Sequence, residues 1–160
     1  MDKAKEVLQL SPEEEETVLR VPVRPWPNQL GVLPSFFEQV SLRGIRVDRV
    51  EPGFVSCTFK VPPRLLDRDG NLARGAIINL IDEVGNAPIN VQGAVVNLSV
   101  DMSITFLAPA KINDELKITA KALGRRGGYG AGSVIVRNKA TGEIIAEGRH
   151  SLFAKPLNKL

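Results

Sequence analysis

Apolar and polar residues alternate along six segments of the chain, a pattern typical of β-strands with one buried face. Two segments, over residues 45–50 and 55–61, flank the turn sequence Glu51-Pro52-Gly53 and predict a hairpin. Four more lie in the second half, over residues 95–106, 115–123, 129–138 and 143–153. The short turn 139–142 joins the last two, and consecutive strands joined by tight turns favour an antiparallel sheet.

Two other segments have helical spacing. A short helix is predicted over residues 35–42, with Ser35 as its N-cap and Gly44 at its end. A longer helix is predicted from Gly75 to about residue 86, with Pro88 closing it and apolar residues at positions 77, 78, 80, 81 and 84. A helix that is apolar on most sides has to be covered by other elements. The sequence therefore predicts an α+β hotdog fold, in which a curved antiparallel sheet wraps around one long central helix.

The first 34 residues differ from the rest. Ser11, Pro12 and Glu14 form a capping-box start for an acidic helix, and four prolines around Trp26 predict an extended strap. Trp26 is either a lid over a substrate site or an apolar anchor, and packing is the commoner role. We divide the chain into an N-terminal helix and proline-rich strap (1–34), a hotdog domain (35–155) and a C-terminal tail (156–160).

Length and composition restrict the class of protein. The chain has 160 residues, of which 43% are apolar and 24% charged, and these values fit one globular domain with a core. No apolar run approaches the roughly 18 residues of a membrane-spanning helix. One cysteine and one histidine exclude a disulfide framework and a zinc ribbon. We expect Cys57 to be a buried structural thiol and His150 a partly exposed structural residue, although any serine–histidine triad would have to use His150.

The charge is unevenly distributed. Residues 1–20 hold six acidic and three basic residues, so the rest of the chain carries 18 basic against 12 acidic residues. A mildly basic body suits a polyanionic small molecule such as a nucleotide or coenzyme A. The excess is too small, with too few aromatic residues, to predict a nucleic-acid partner, and no membrane partner is expected.

The central helix carries a polar stripe. Asn79, Asp82, Glu83 and Asn86 interrupt its apolar pattern at a spacing that places them on one face. A carboxylate on an otherwise buried helix is costly unless it is paired or faces a wet cleft. The stripe therefore indicates a general base or nucleophile in an active site, or a polar subunit interface, and the two can coincide.

Two glycine-containing segments are further candidates. Gly75 begins the central helix, so its N–H group can stabilise a developing oxyanion, unless the glycine serves only close packing. The segment from Gly124 to Gly130 either holds phosphate groups with Arg125, Arg126 and Gly127 or is a bulged strand entry with two solvated arginines. It lacks the ending of a P-loop, which argues against a nucleotide hydrolase.

Three segments, LARGAIINLIDE, SVDMSITFLAPAK and RNKATGEIIAEGRH, resemble the small acyl-CoA thioesterases of the hotdog fold, in the PaaI-like branch. The resemblance covers roughly residues 35–154. It implies hydrolysis of an acyl-CoA thioester to a free acid and coenzyme A, with no metal or organic cofactor. It also implies a homodimer or a dimer-of-dimers tetramer with sites between subunits.

Within this resemblance, three positions match catalytic positions of the family. Asp82 matches the catalytic acid, which activates water or attacks directly. Gly75 matches the second glycine of a His-Gly-Gly run. Ser99 matches a serine that helps to position the attacking water and is contributed across the dimer interface.

The chain departs from the family at three positions. Ala73 replaces the histidine, Arg74 replaces the first glycine, and Asp67 falls where the family has an asparagine. These changes indicate either an altered substrate class, with Arg74 meeting an anionic acyl group, or a degenerate protein that binds acyl-CoA without efficient hydrolysis. A hotdog dehydratase is disfavoured because it needs a histidine paired with an acid, and His150 lies far along the chain. The expected substrate-binding residues are Asp67, Ala73, Arg74, Asn79, Glu83, Arg125, Arg126 and Gly127, with the two neighbouring arginines on the coenzyme A phosphates.

The expected location is the cytoplasm, because the first residues resemble neither a secretory signal nor a transit peptide. The final residues Asn158-Lys159-Leu160 are one residue away from the peroxisomal address Ser-Lys-Leu, which leaves the peroxisome as the alternative.

Overall fold

The computed structural model describes residues 11–13, 16, 36–90 and 97–154. The chain divides into two compact units, Met1–Phe36 and Phe37–Leu160. In the first unit, residues 12, 13 and 16 are helical, within the segment where an acidic helix is predicted. The predicted strap with Trp26 and the tail with Asn158, Lys159 and Leu160 lie outside the described residues. Within the described part, no helix has the length and apolar character needed to cross a membrane.

The second unit contains one antiparallel sheet with one long helix packed against it. From residue 36 onwards, the helices are α1 (Phe36–Leu42) and α2 (Arg74–Asn90), and a short 3₁₀ turn spans Pro63–Leu65. The strands all belong to the second unit. Its strands β1 to β6 are Arg46–Glu51, Phe54–Lys60, Asn97–Phe106, Glu115–Arg126, Tyr129–Asn138 and Ile144–Ala154. They lie in the order β1-β2-β4-β5-β6-β3, and every neighbouring pair is antiparallel. The predicted hotdog architecture is confirmed.

The core lies between α2 and the face of the sheet turned towards it. Leu80 and Ile81 of α2 are fully buried, and alternate residues of β2, β4, β5 and β6 pack around them, among them Val55, Phe59, Leu116, Ile118, Val134, Val136 and Ala146. Cys57 belongs to this core. Burial, together with the charge of Asp48, raises the pKa of its thiol to about 11, so Cys57 is the structural thiol that the sequence predicts.

The helix α2 extends beyond its predicted end, and the prediction that Pro88 closes it was wrong. A proline at this position removes one helical hydrogen bond, and its ring crowds the carbonyl group four residues before it, so the extra turn needs compensation. Pro88 is buried, and Ile89 packs closely over Gly130 and Gly132 of β5. Burial of apolar surface therefore stabilises the last helical turn of α2, where the local sequence rules predict that the helix ends.

The strand β1 forms at the predicted place but has no buried face. All six of its residues are exposed, including Val47 at 61% and Val50 at 55%. The strand lies at the edge of the sheet, and a bulge between Val47 and Arg49 interrupts the alternation of its side chains. Alternation alone therefore identified the strand but not its position in the sheet.

Glycines on the sheet allow α2 to approach closely. A Cβ atom at Gly148 would lie 2.7 Å from Cγ2 of Ile81, and one at Gly130 would lie 2.7 Å from Cγ2 of Ile89. Side chains at these positions would push the helix away from the sheet.

We expect the substitution Gly148→Ala to lower the free energy of unfolding by about 1–3 kcal/mol, because Ile81 is β-branched and cannot turn its Cγ2 away without repacking. Urea denaturation measures this change. Gly75→Ala is the matched control, because no heavy atom lies within 4 Å of a Cβ added there. Equal stability of the Gly148 variant and the unmodified protein would contradict the packing argument.

Candidate active site

Three polar side chains from three elements meet beside the middle of α2. The hydroxyl Oγ of Ser99 in β3 lies 3.0 Å from Oδ1 of Asp82 in α2 and 2.9 Å from Nε2 of His150 in β6. His150 Nε2 also lies 3.1 Å from Asp82 Oδ1. The side chain of Asp82 is 33% exposed, whereas that of His150 is fully buried. The cluster therefore opens to solvent on the side of the carboxylate.

A β-bulge turns Ser99 towards the helix. Met102 pairs with His150 on the face towards α2, and uninterrupted alternation from Met102 would point Ser99 away from it. The register shifts between Ser99 and Asp101, so that Ser99 pairs with the buried Leu152 and faces α2. The bulge is the feature that brings the serine to Asp82.

This contact lies within one chain and differs from the expectation that Ser99 reaches the site from a partner subunit. Since the bulge turns the hydroxyl of Ser99 onto Asp82 of the same chain, no second copy is needed to form the pair.

The hydrogen-bond directions follow from the surroundings of His150. Its Nδ1 atom is buried and has no hydrogen-bond partner among the described residues, while Nε2 faces two acceptors. The neutral tautomer with its proton on Nε2 satisfies this arrangement best, because a buried N–H group without an acceptor is costly. The Nε2–H group of His150 therefore donates to the Ser99 hydroxyl, and the Ser99 hydroxyl donates to Asp82.

The same directions argue against a serine–histidine triad. In a triad the histidine accepts the serine proton on one nitrogen, while an acid orients the ring through the other nitrogen. Here Asp82 and Ser99 share the Nε2 side, and Nδ1 faces the space left by Gly85, where a Cβ would lie 3.3 Å away. Asp82 approaches both Ser99 and His150 through Oδ1, so its other carboxylate oxygen, Oδ2, can hold a reacting water.

The N-terminal end of α2 offers a second functional group. Ala73 accepts the first helical hydrogen bonds, from Ala76 and Ile77, so Gly75 lies in the first turn. Within the described residues its N–H group has no backbone acceptor, and no heavy atom lies within 4 Å of the position of a Cβ. This N–H group is open to a ligand, and the positive end of the helix dipole favours negative charge there.

A cavity of about 580 Å³ lies beside this helix end. Arg74 lies in its wall, with its guanidinium carbon 5.5 Å from the centroid of the Phe106 ring. The other lining residues include Asp67, Asp69, Asn71, Leu72, Ile77, Leu107, Ala108 and Pro109. The cavity therefore combines an apolar wall with one cation and two carboxylates.

The loop before α2 uses Asp67 to hold its own shape. Oδ1 of Asp67 accepts hydrogen bonds from the backbone N–H groups of Asp69 and Asn71. An ionised carboxylate only accepts hydrogen bonds, so Asp67 cannot donate to a substrate carbonyl as an asparagine would. Lys111 donates to the side chain of Asn71 and fixes the far side of the loop.

The remaining predicted substrate-binding residues lie in two places. Asn79 and Glu83 are on α2 with Asp82, and burial, followed by the charges of Glu38 and Asp82, raises the pKa of Glu83. Arg125 and Arg126 are exposed at the end of β4, next to a bulge between Ala122 and Gly124, and Gly127 follows in the turn. The bulge agrees with the strand-entry interpretation of this segment.

His150 is the residue that sequence reasoning missed. We expected a partly exposed structural residue, yet the side chain is fully buried and its Nε2 lies 3.1 Å from Asp82 Oδ1. The two residues are far apart in the chain, and only the pairing of β6 with β3 brings them together. The one available signal was the position of a polar residue among the inward-facing residues of the last strand, two before Leu152.

The fold and the site together define a hotdog protein with an acid, a serine and a histidine beside its central helix. A family model described as the thioesterase superfamily matches residues 69–145. Acyl-coenzyme A thioesterase 13 of Homo sapiens is 36% identical over 116 residues, which cover 72% of this chain and 82% of that protein. The chain belongs to the thioesterase superfamily.

Solved structures agree with this assignment. The crystal structure of zebrafish thioesterase superfamily member 2 superposes with a TM-score of 0.71 at 33% identity, covering 76% of this chain and 88% of that one. The PaaI protein of E. coli, from its phenylacetic acid degradation operon, has a TM-score of 0.66 at 22% identity, with 71% and 80% covered. At that identity PaaI supports the fold alone.

The buried histidine predicts a pH-dependent stability. Burial lowers the pKa of His150, and the negative charge of Asp82 opposes this only in part. In the unfolded chain the imidazole of His150 therefore takes up a proton near pH 6.5, whereas in the folded protein it takes up the proton only at a lower pH. We expect the free energy of unfolding to fall as the pH drops below about 6.5, by at most about 1.4 kcal/mol per pH unit from this residue.

Denaturant melts between pH 7.5 and 5.5 test this expectation on the unmodified protein and on His150→Gln, which cannot titrate. The difference between the two pH slopes isolates the histidine, because the carboxyl groups, including Glu83, are common to both proteins. Identical slopes would show that His150 takes up its proton equally in the folded and unfolded states.

Proposed function

We propose that this protein hydrolyses acyl-CoA thioesters, with Asp82 as the general base. The observation that carries the proposal is the arrangement at Asp82: Ser99 donates to Oδ1, and Nε2 of His150 lies 3.1 Å from the same oxygen, which fixes the carboxylate and leaves Oδ2 for a water molecule. The thioesterase family and the acyl-coenzyme A thioesterase relative support the substrate class.

In the proposed reaction, Asp82 takes a proton from the water as its oxygen attacks the thioester carbon. The carbonyl oxygen becomes an oxyanion, and the N–H group of Gly75 stabilises it. The tetrahedral intermediate collapses and breaks the carbon–sulfur bond, and the proton held by Asp82 passes to the departing coenzyme A thiolate. The products are a free acid and coenzyme A, and the chemistry needs neither a metal nor an organic cofactor.

One chain cannot supply both Gly75 and Asp82 to the same carbonyl. The two residues are seven positions apart on α2, a separation of about 10.5 Å along the helix axis. Helical N–H groups point towards the N-terminus, so a carbonyl bound to Gly75 lies beyond the helix end and farther still from Asp82. The Gly75 of a second copy has to face the Asp82 cluster.

The free edge of β3 provides a way to assemble such a site. This strand lies at the border of the sheet and exposes Leu98 at 57% and Val100 at 54%. Antiparallel pairing of two β3 strands would bring the Ser99 end of one beside the Phe106 end of the other, where the cavity and Gly75 lie. We therefore propose a homodimer with two composite sites.

The charges in the cavity bear on the acyl group. Arg74 stands over Phe106, and the carboxylates of Asp67 and Asp69 line the same space. One cation against two carboxylates does not favour an anionic acyl group, so we expect neutral acyl groups to be hydrolysed faster than anionic ones.

Two other functions receive less support. A dehydratase would use its histidine on the substrate, but the ring of His150 is fully buried behind Ser99 and Asp82. A degenerate acyl-CoA binder would not need the ordered contacts at Asp82.

Release of free thiol from a panel of acyl-CoAs tests the proposal. The panel contains short, long, aromatic and anionic acyl groups, and turnover of at least one neutral class is the expected result. Tight binding of the panel without release of thiol would favour the binding protein and overturn the proposed hydrolase.

A further inference from the structure

A cation lies beside the first turn of α2. Arg74 immediately precedes Gly75, so the Cα atoms of the two residues are about 3.8 Å apart. The guanidinium carbon of Arg74 lies 5.5 Å from the centroid of the Phe106 ring, at the end of β3. Arg74 and Phe106 both line the cavity at this end of the helix. The guanidinium of Arg74 and the N–H group of Gly75 are therefore two neighbouring donors beside one cavity.

The contact with Phe106 holds the guanidinium of Arg74 and leaves its hydrogen-bond donors available. A cation within about 6 Å of a ring centroid is attracted to the face of the ring, and this attraction uses no acceptor atom. Among residues 36–90 and 97–154, no carboxylate forms an ion pair with Arg74 and no group accepts a hydrogen bond from its side chain. Arg74 is exposed, so a bound ligand can reach these donors. The cation is therefore oriented before a substrate arrives.

The other polar side chains of the cavity are less suited to hold a negative charge. The carboxylates of Asp67 and Asp69 only accept hydrogen bonds when ionised, and Asp67 already accepts two from the backbone of its own loop. Asn71 has an amide nitrogen, but its side-chain oxygen is bound to Lys111 at 2.6 Å. Among the described side chains that line the cavity, that of Arg74 alone carries a positive charge.

An oxyanion and an acyl carboxylate place different demands on this cation. An acyl carboxylate would add a full negative charge to a cavity that already holds two carboxylates. The oxyanion of the proposed reaction gains its charge only as water attacks, and it forms at the N–H group of the residue next to Arg74. The position of Arg74 therefore favours contact with the reacting carbonyl oxygen over contact with the far end of an acyl group.

We propose that the guanidinium of Arg74 is a second oxyanion donor, beside the N–H group of Gly75. The inference rests on the proposed function, because the oxyanion forms only when the thioester is attacked. As the carbonyl oxygen gains negative charge, an N–H group of Arg74 donates a hydrogen bond to it, and the guanidinium keeps its proton throughout. In the proposed dimer the carbonyl then lies between Arg74 and Gly75 of one copy and Asp82 of the other.

The kinetic test is the substitution Arg74→Ala. Loss of one donor from an oxyanion site lowers kcat by about 10²–10³-fold. Because Arg74 is exposed to solvent, we expect a smaller fall in kcat of about 10- to 100-fold, with KM changed by less than about threefold. Neutral and anionic acyl groups should lose the same factor, since they share the carbonyl group.

Arg68→Ala is the matched control. Arg68 is an exposed cation of the loop before α2, and it does not belong to the described lining of the cavity. We expect its kcat to equal that of the unmodified protein. An unchanged kcat in Arg74→Ala, an equal fall in both variants, or a loss confined to anionic acyl groups would overturn the inference.

Added guanidinium ion gives a readout that a structural defect would not produce. Well below denaturing concentrations, the ion can occupy the space over Phe106 that Arg74→Ala leaves. We expect it to restore part of kcat in this variant and none in Asp82→Asn, which retains its arginine. No restoration, or the same restoration by sodium chloride, would contradict the role of a donor.

A spectroscopic measurement separates this inference from the proposed function. In Asp82→Asn the bound thioester stays intact, and a carbon-13 label identifies its C=O stretch in infrared difference spectra. A charged donor lowers this frequency, so we expect a downward shift on binding that the added substitution Arg74→Ala reduces. Such a shift without hydrolysis by the unmodified protein would keep Arg74 as a carbonyl donor and remove the proposed function. Normal hydrolysis with no effect of Arg74→Ala on the frequency or on kcat would remove the Arg74 inference alone.

Discussion

Replacement of Asp82 by asparagine is expected to lower turnover of the best acyl-CoA substrate by about 100-fold or more, since general-base assistance contributes about 10²–10⁴-fold. Asparagine keeps the size of the side chain, and its carbonyl oxygen can still accept the hydrogen bond from Ser99. What it loses is the ability to take a proton from water. We therefore expect the loss in kcat, with KM changed little, measured as thiol release under saturating substrate.

Asp101→Asn is the control for this experiment. Asp101 is exposed on the same strand as Ser99, two residues beyond it, so its substitution makes the same chemical change outside the cluster. Equal thermal stability of both variants would show that the loss is chemical. A variant at Asp82 that retains most of its turnover would remove Asp82 from the role of base.

The architecture was readable from the sequence because its signals are local and repeated. Six alternating segments and one long apolar helix predict the sheet and the helix that the structure contains. The exceptions are places where burial overrides a local rule. Pro88 stays helical because it is buried and its neighbour Ile89 packs on the sheet, and β1 remains exposed because it lies at the edge.

The cluster at Asp82 was only partly predictable. A carboxylate on an apolar helix has to be paired with another group or exposed to solvent, and this argument identified Asp82 as a candidate. His150 lies 51 positions from Ser99 and joins it only through strand pairing. The orientation of Ser99 depends on a bulge near Val100, and no turn residue or glycine in that stretch signals it.

A mixed dimer gives the most direct test of the composite site. Gly75→Pro removes the N–H group proposed to hold the oxyanion, and proline is tolerated in the first turn of a helix. We expect this variant and Asp82→Asn each to be nearly inactive alone. In a dimer that carries one copy of each, one site has both substitutions and the other has an intact Gly75 facing an intact Asp82.

Two different affinity tags, one on each variant, allow isolation of the mixed dimer alone. We expect it to recover about half of the turnover of the unmodified dimer, because one of two sites is intact. Gly75→Ala, which keeps the N–H group and has open space for its Cβ, should stay active and shows that the proline acts through the lost donor. A mixed dimer as inactive as its parents would mean that Gly75 and Asp82 do not meet across the interface. Within one chain, Gly75 and Asp82 lie too far apart along α2 to reach the same carbonyl group. That result would therefore also mean that Gly75 does not stabilise the oxyanion.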